Sequence, residues 1–394
     1  MPRREWSGCG QMQTRTILGP EAKSLASHEK WALLSPFLRR FGKEALSYAT
    51  LQSGMEYFVA PEGYVAFTSV SHPVFARRGC RIVLSDPLCA ADSRKALLTQ
   101  FLAFAGQAAF AVVSEDCAAD LRQLGLKANC IGYEPELPVQ TYNTLGNWKE
   151  LDLIKRARNE ARRERIVIRE EAIEKVSRTQ LDEVSRRWIG TKKVNDREIW
   201  IYARRPVYEH EEDVRKFVAY DAEGKVAGFV FYDPMYESGR VVGYSANISR
   251  CDERRFGRLA TAINMVALEH FRAEGKRTLN LCLAPFVKLE RGRFNDDWAT
   301  LKFFQLSERF GNDIYNFQGL SFYKAKYRGQ EKSLYFASTN ALPSNDVYLA
   351  FLSSDIARSY FSTLGQLLWG IVTSVWRDRR ASDTRSNGTS RLSP

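Results

Sequence analysis

The stretch from residue 311 to residue 336, GNDIYNFQGLSFYKAKYRGQEKSLYF, is the segment around which the rest of the chain is organised. It opens with a Gly-Asn turn, continues through closely spaced aromatic residues and ends in a short apolar strand at 333–337. Lys324 and Lys326 stand just before that strand. Two ammonium groups beside aromatic rings suit an anionic, partly apolar ligand, because the rings exclude water and leave the charge less screened. The alternative is a solvated lysine pair at an ordinary helix-to-strand junction.

The elements before this stretch occur in the same order twice. In each half, strand-like runs separated by turn formers come first, and a helix and a buried strand follow. The first set comprises strands at 56–60, 64–70, 80–85, 110–114 and 128–133 with helices at 91–104 and 115–125, and the second comprises strands at 216–221, 226–233, 240–248 and 278–284 with a helix at 257–273. This repeat predicts two similar α/β halves that pack together. Residues 134–142, which include two prolines, are interpreted as an irregular connection, so we expect a domain boundary near 140.

Length and charge limit the possible classes of protein. A chain of 394 residues can bury a substantial core, and its length favours two domains. The formal net charge of +12 and the isoelectric point of about 9.3 indicate an anionic partner, either nucleic acid or a membrane surface. Net charge alone does not choose between these two.

Several common kinds of site are missing from the sequence. The seven cysteines form no CxxC pair and no zinc-type cluster with histidine, so we predict reduced thiols and no metal site. The four histidines are scattered, and no nucleophile elbow, phosphate-binding loop, zinc-protease helix or nicotinamide fingerprint occurs. These absences argue against most hydrolases, kinases and dehydrogenases. The first residues contain no apolar core of a secretory signal, so we expect a cytoplasmic protein.

The most basic helix is predicted at 147–165. Lys155, Arg158, Arg162 and Arg165 recur at spacings that place four cations along one face. Such a face can follow phosphates of a nucleic acid. The alternative is a solvated helix whose cations are balanced by Glu160 and Glu164.

The C-terminal part of the chain is predicted to be amphipathic. Apolar residues follow helical spacing from Ile356 to Val375, and Trp376 and several arginines come next. A helix at 346–380 of this kind suits the membrane interface, a partner or the protein's own core, and these alternatives stay open. The polar segments 1–25 and 381–394 are expected to be flexible and disordered.

Three blocks resemble the C-terminal catalytic domain of phosphatidylglycerol lysyltransferases, which transfer amino acids from aminoacyl-tRNA to lipids. They are NFQGL at 316–320 with FYKAKY at 322–327 and Leu334-Tyr335, GYSANISR at 243–250, and LCLAPF at 281–286 with Glu290 behind it. The order and spacing of the blocks agree with the family. The resemblance therefore covers much of the chain rather than one short motif.

The resemblance implies a fold as well as an activity. It implies an α/β (α+β) fold of two tandem GNAT-like acyltransferase domains with mixed sheets, a channel between them, and the active site in the second. The domains would then be 26–140 and 141–345. The family's multi-span flippase region is not expected here, so the protein would act in the cytoplasm or peripherally at the inner face of the cytoplasmic membrane.

The resemblance also assigns roles to individual residues. Lys324 would contact the carbonyl, phosphate or oxyanion, with Arg250 beside it, and Glu290 would hold the aminoacyl ammonium. Asn247 falls where the lipid-modifying members have Asp, and an amide cannot anchor an ammonium by charge, so amino-acid and acceptor specificity stay open. The remaining substrate-binding candidates are Lys326, Tyr323 and Asn316.

We therefore expect an aminoacyltransferase that uses aminoacyl-tRNA as co-substrate, needs no further cofactor, and modifies phosphatidylglycerol or a small hydroxyl or amine acceptor. One alternative is an acyl-CoA-dependent N-acyltransferase. Its phosphate loop would be the turn at 254–259, which has Gly257 but carries Leu259 at the final small position. The other alternative is a non-catalytic double GNAT module that binds tRNA or an anionic membrane.

Overall fold

The computed structural model describes residues 16–18, 26–72, 76–147, 149–190, 204–252, 254–310 and 317–339. Asn316, the predicted helix at 346–380 and the predicted tail at 381–394 lie outside these ranges. The strands are β1 (Thr16–Leu18), β2 (Glu56–Ala60), β3 (Gly63–His72), β4 (Ala76–Val83), β5 (Leu88–Cys89), β6 (Ala108–Val113), β7 (Lys127–Pro138), β8 (Val167–Glu170), β9 (Arg215–Tyr220), β10 (Val226–Glu237), β11 (Arg240–Cys251), β12 (Thr278–Asn280), β13 (Ala284–Pro285) and β14 (Gln330–Ser338). The helices are α1 (Ser27–Phe41), α2 (Ala91–Ala105), α3 (Glu115–Gln123), α4 (Asp152–Arg163), α5 (Arg178–Gly190), α6 (Leu259–Ala273), α7 (Trp298–Phe310) and α8 (Phe317–Ala325).

The described strands form one mixed sheet. Its order is β1-β2-β3-β4-β6-β14-β7-β12-β11-β10-β9-β8, with β5 paired to β3 and β13 paired to β7. Each half contributes one parallel pair, β4 with β6 and β11 with β12, while its other neighbouring strands are antiparallel. The predicted α/β fold with a mixed sheet built from two similar halves is confirmed.

The two halves exchange their last strands. The final strand of the second half, β14, lies between β6 and β7, and the final strand of the first half, β7, lies between β14 and β12. The pairing of β7 with β14 runs from Glu136 opposite Gln330 to Lys127 opposite Ser338. Each half therefore completes its sheet with a strand of the other, and neither half has a complete set of backbone hydrogen bonds alone.

The predicted irregular connection at 134–142 was wrong for residues 134–138, which continue β7. Pro135 lies inside the strand although it has no N–H to donate, and its carbonyl accepts the Leu281 N–H at 2.9 Å. Pro138 ends the strand, and its carbonyl accepts the N–H groups of Thr141 and Tyr142. The sheet thus runs from one half into the other without interruption, and the boundary near 140 stays a prediction.

The cores on the two faces of the sheet follow this arrangement. One core lies under α2 and α3 in the first half, and two others lie under α6 and α5 in the second. The core around α1 joins the halves, since it contains Leu34 from α1, Tyr236 from β10, and Phe304 and Phe317 from α7 and α8. No helix in the described part of the chain is both long enough and apolar enough to span a bilayer.

Gly132 permits the close approach of β13 to β7. Its φ is +148°, and a Cβ atom there would lie 2.2 Å from the carbonyl oxygen of Ala284. We expect Gly132→Ala to lower the free energy of unfolding by about 2 kcal/mol or more, because the backbone of β13 must move. Urea unfolding measures this change. Gly190→Ala is the control, since a Cβ there meets no atom within 4 Å; equal losses in the two variants would contradict the prediction.

Candidate active site

Lys324 is buried in the last turn of α8, on the face that packs onto the sheet. Its Nζ donates to the carbonyl oxygens of Cys282 at 3.0 Å and Leu283 at 2.8 Å. Burial lowers the pKa of the ammonium from 10.5 to about 8. An ammonium has three N–H groups, and the third has no partner among the described residues. It is available to a carbonyl, phosphate or oxyanion.

The two carbonyls are available because the chain leaves the sheet after β12. Cys282 has a φ of +60°, and its N–H donates to the Asn280 side chain at 2.7 Å. Phe286 and Lys288 also have positive φ values, and such backbone strain in non-glycine residues is concentrated at functional sites. The predicted strand at 278–284 was wrong for residues 281–283, which turn their carbonyls toward Lys324 instead of a neighbouring strand.

Glu134 and Glu136 lie on the same face of β7. Glu136 accepts from Asn280 Nδ2 at 3.2 Å and from Lys332 Nζ at 2.7 Å. Glu134 is buried, and burial together with the nearby carboxylates raises its pKa from 4.5 to about 8. Its negative charge in turn favours the ammonium form of Lys324.

Two more carboxylates come from other elements of the first half. Burial and the charge of Asp86 raise the pKa of Glu44 to about 7. Burial also raises the pKa of Asp86, whose carboxylate accepts from the N–H and the hydroxyl of Ser114 at 2.8 and 2.6 Å. The segment that carries Glu44 reaches the second half, because Ser245 Oγ donates to the Ala45 carbonyl at 2.8 Å. Both halves therefore build the site.

We call this group of residues the seam site, since it surrounds the exchanged strands. It comprises Glu44, Asp86, Glu134, Glu136, Asn280, Cys282, Lys324 and Lys332. Carboxylates that are buried near one another release their protons reluctantly, and a bound cation would let them ionise. Glu134 and Glu136 were not among the predicted site residues, because residues 134–142 were interpreted as an irregular connection. The available signal was a pair of glutamates two residues apart in an otherwise apolar run, Tyr133 to Leu137.

Asn247 lies in a second buried polar network. Its Nδ2 donates at 2.8 Å to Asp233, and Arg204 Nε donates to both oxygens of the same carboxylate at 2.9 Å. The Asp233 charge also raises the pKa of the Cys282 thiol, so this network is within electrostatic range of the seam site. Arg250 donates to the Ser249 carbonyl, and its guanidinium lies 3.7 Å from the centre of the Trp188 ring. The catalytic roles of Asn247 and Arg250 stay predictions.

The predicted substrate-binding residues of α8 lie in different surroundings. Lys326 is exposed, and its Nζ lies 4.0 Å from the centre of the Phe322 ring. The Tyr323 hydroxyl is hydrogen-bonded to Tyr327 at 2.5 Å and to Thr261 at 3.1 Å. Lys324 thus lies among carboxylates, Lys326 lies at the surface and Tyr323 packs on α6.

Glu290 lies in a short 3-10 turn, Leu289–Arg291, and is exposed. Its carboxylate accepts from Gln305 Nε2 of α7 at 2.8 Å. Its predicted contact with the aminoacyl ammonium stays a prediction. Glu134 and Glu44, in contrast, are carboxylates of the seam site itself.

The predicted cationic face is carried by α4. Among the described residues, none of Lys155, Arg158, Arg162 and Arg165 has a carboxylate within 4.0 Å, as the ion pairs of this region show. Lys155, Arg162 and Arg165 are exposed. The acids that were considered as balancing charges bind elsewhere, since Glu164 pairs with Arg163 and Glu160 pairs with Arg258. This helix therefore presents uncompensated positive charge.

Glu160 also occupies the start of α6. Its carboxylate accepts the backbone N–H of Arg258 at 3.2 Å and the guanidinium of the same residue at 2.6 Å. This helix start is the position at which an acyl-CoA enzyme of this fold would bind the pyrophosphate. A carboxylate there competes with a phosphate for the same N–H groups and repels it.

Sequence comparison places the chain in a family. The sequence profile described as phosphatidylglycerol lysyltransferase, C-terminal, matches residues 35–338. The chain belongs to this family. An uncharacterised protein of Corynebacterium glutamicum is 23% identical over 82% of this chain and 41% of its own length. The phosphatidylglycerol lysyltransferase of Bacillus subtilis is 23% identical over 77% of this chain and 34% of its own length. The chain thus spans less than half the length of these relatives.

Solved structures have the same fold. The structure of L-PGS from Bacillus licheniformis superposes with a TM-score of 0.66 at 20% identity, covering 87% of this chain and 98% of that chain. The C-terminal domain of a putative lysylphosphatidylglycerol synthetase from Agrobacterium fabrum superposes with a TM-score of 0.63 at 18% identity, covering 85% and 100%. At these identities the agreement concerns the fold.

Replacing Glu134 by Gln should change how stability depends on pH. The folded-state pKa of about 8 lies above the ordinary value of 4.5, so between these values the folded protein keeps a proton that the unfolded chain releases. The wild type therefore loses stability as pH rises through this window. We expect Glu134→Gln to gain stability relative to the wild type, by at most about 1.4 kcal/mol per pH unit. Urea unfolding at about pH 5 and about pH 8 measures this, and an equal difference at both values would contradict it.

Proposed function

We propose that this protein is an aminoacyltransferase that moves an amino acid from aminoacyl-tRNA to a lipid such as phosphatidylglycerol, or to a small hydroxyl or amine acceptor. Family membership supports the class of reaction. The single observation that carries the proposal is the position of Lys324 of the second half, whose ammonium is held by two backbone carbonyls and lies near the buried Glu134 of the first half.

The reaction needs little from the protein beyond orientation and charge. The acceptor oxygen or nitrogen attacks the carbonyl carbon of the aminoacyl ester, the ester bond to the terminal ribose breaks, and the acceptor's proton passes to the ribose oxygen. Negative charge develops on the carbonyl oxygen during the attack. The third N–H of Lys324 is suited to stabilise that oxyanion, since the surroundings are buried and the ammonium is already fixed by its other two hydrogen bonds.

The carboxylates suit the ammonium groups of the donor amino acid. Glu136 is paired with Lys332 at 2.7 Å, and Asp86 is held by Ser114 at 2.6 Å. Glu44 has a longer ion pair, 3.8 Å, with the exposed Lys43, and Glu134 is hydrogen-bonded to the neutral Asn280 amide. Glu44 and Glu134 are therefore the acids best placed to bind a ligand cation. Two carboxylates match an aminoacyl group with two ammonium groups, one on the α carbon and one on the side chain. A lysyl group has this pattern.

The cationic face of α4 is suited to the tRNA phosphates. Lys155, Arg158 and Arg162 recur along the helix, and Arg165 follows in the turn after it, where its φ is +52°. None of the four cations has an acidic partner among the described residues. The acyl-CoA alternative is disfavoured by the Glu160 carboxylate at the start of α6. A non-catalytic module would bind tRNA or lipid without consuming charged tRNA.

Lys324→Ala should abolish transfer while leaving the fold intact. We expect turnover to fall about a hundredfold or more, because one oxyanion donor is lost. The measurement is the transfer of radiolabel from bulk charged tRNA to a lipid extract, together with thermal unfolding. Lys95→Ala is the control, since Lys95 is an exposed lysine of α2 that donates to Gln123. Near-normal turnover of Lys324→Ala would remove this residue from the mechanism.

The Glu44 and Glu134 carboxylates predict a preference for a dibasic donor. We expect kcat/KM for lysyl-tRNA to exceed that for alanyl-tRNA by about tenfold or more, because a side-chain ammonium gains a charged hydrogen bond. Glu134→Gln and Glu44→Gln should each reduce this ratio. The measurement is the initial rate with tRNA charged with either amino acid. Equal rates for both donors in the wild type would rule out this assignment of the carboxylates.

A further inference from the structure

Two described aromatic side chains remain largely exposed although the chain is rich in buried aromatics. Trp298 at the start of α7 is 72% exposed, and Phe322 in α8 is 65% exposed. Exposed apolar groups are unfavourable in water, and where several lie together they mark surfaces that bind a protein, a membrane or a ligand. Neither residue is part of the seam site.

Both side chains belong to amphipathic helix faces. On α7, the exposed residues Trp298, Lys302, Leu306 and Arg309 recur at three- and four-residue spacings and share one face. On α8, Phe322 is exposed and Lys324 is buried, and the exposed Lys326 follows in the turn directly after the helix. Each helix thus presents a bulky aromatic residue together with cations.

The two helices are neighbours. Phe304 of α7 and Phe317 of α8 pack on the same side chain, Phe286, with ring centres at 5.3 and 4.9 Å. Gln318 Nε2 at the start of α8 also donates to the Glu308 carbonyl near the end of α7 at 2.8 Å. The end of α7 therefore lies beside the start of α8, and the exposed positions of these two neighbouring helices are considered together as one region.

The charge of this region is positive. The exposed positions of α7 and α8 that the structure describes include cations and no carboxylate. Glu308 is only partly exposed and lies outside the arc that contains Trp298 and Lys302. Lys302 donates to Gln305, which in turn donates to the exposed carboxylate of Glu290, and Lys326 lies over Phe322. One carboxylate from outside the two helices thus borders the region beside Lys302.

We propose that this region is a docking strip for an anionic lipid bilayer, formed by Trp298, Lys302, Leu306, Arg309, Phe322 and Lys326. Aromatic and aliphatic groups interleaved with Lys and Arg suit the headgroup boundary, where rings enter the apolar layer and cations meet phosphates. The choice of a bilayer rests on the proposed lipid acceptor. Because α8 carries Phe322 on its outer face and Lys324 on its inner face, the strip brings the membrane to the helix that builds the seam site.

The test is vesicle co-sedimentation of the full chain. The vesicles contain phosphatidylcholine alone or phosphatidylcholine mixed with phosphatidylglycerol. We expect the wild type to prefer the anionic vesicles, and the double variant Trp298→Ser, Phe322→Ser to bind them about tenfold more weakly. The control is Leu33→Ser, Leu145→Ser, because these residues of α1 and of the segment after β7 are 39% and 52% exposed and lie outside the strip. The control should bind as the wild type does, and circular dichroism checks that both variants fold.

Unchanged binding of the Trp298→Ser, Phe322→Ser variant would overturn the proposal, and so would an equal loss in the control. The proposal of a docking strip would also be wrong if the Trp298→Ser, Phe322→Ser variant lost tRNA binding or self-association but kept its affinity for vesicles. Transfer to short-chain phosphatidylglycerol dispersed in detergent separates this inference from the proposed function. A wild type that binds anionic vesicles through the strip but never transfers an amino acid would keep the docking strip and refute the enzyme.

Discussion

The pairing of β7 with β14 is the interaction on which the rest of the structure depends. These strands are the last strand of each half, and each pairs with the other and with a strand of the opposite half. The backbone groups of both edges are satisfied only when the exchange is complete. Such a sheet fixes the position of one half relative to the other. The side chains of a site that both halves build are therefore held in a defined geometry.

The position of the two halves determines which charged groups meet in the seam site. β7 carries Glu134 and Glu136 to the centre of the sheet, β14 brings Lys332 opposite Glu134, and α8, which precedes β14, brings Lys324. Burial of these charged groups lowers the free energy of unfolding. The aromatic cores on both faces of the sheet offset this loss. The raised pKa of Glu134 and the lowered pKa of Lys324 express that cost, and a charged ligand would relieve it.

Much of the fold could be predicted from the sequence. Apolar periodicity and turn residues gave the meanders at β2–β4 and β9–β11, because local patterns determine those elements. Strand exchange could not be predicted, since it depends on pairing between residues that are about 200 positions apart and no local signal encodes it. The same non-local pairing explains why residues 134–138 were interpreted as a loop despite belonging to the central strand.

The candidate site could be predicted only in part. Lys324 was predicted from its motif, and it is buried next to Cys282 and Glu134 of the seam site. Glu44 and Asp86 could not have been selected, because they come from the first half and meet the site only after the halves assemble. Lys326 lies only two residues from Lys324, yet it points to solvent, because α8 buries one face and exposes the other.

The central claim is that the carboxylates of the seam site receive the cationic aminoacyl group. Calorimetric titration of the full chain with L-lysine methyl ester at about pH 6, in two buffers of different ionisation enthalpy, tests this claim directly. At that pH the ester is charged and Glu134 and Glu44, with pKa values of about 8 and about 7, hold protons. Binding should release protons, and Glu134→Gln should reduce the number released. Binding without any proton release, or with the same release in the Glu134→Gln variant, would contradict the account.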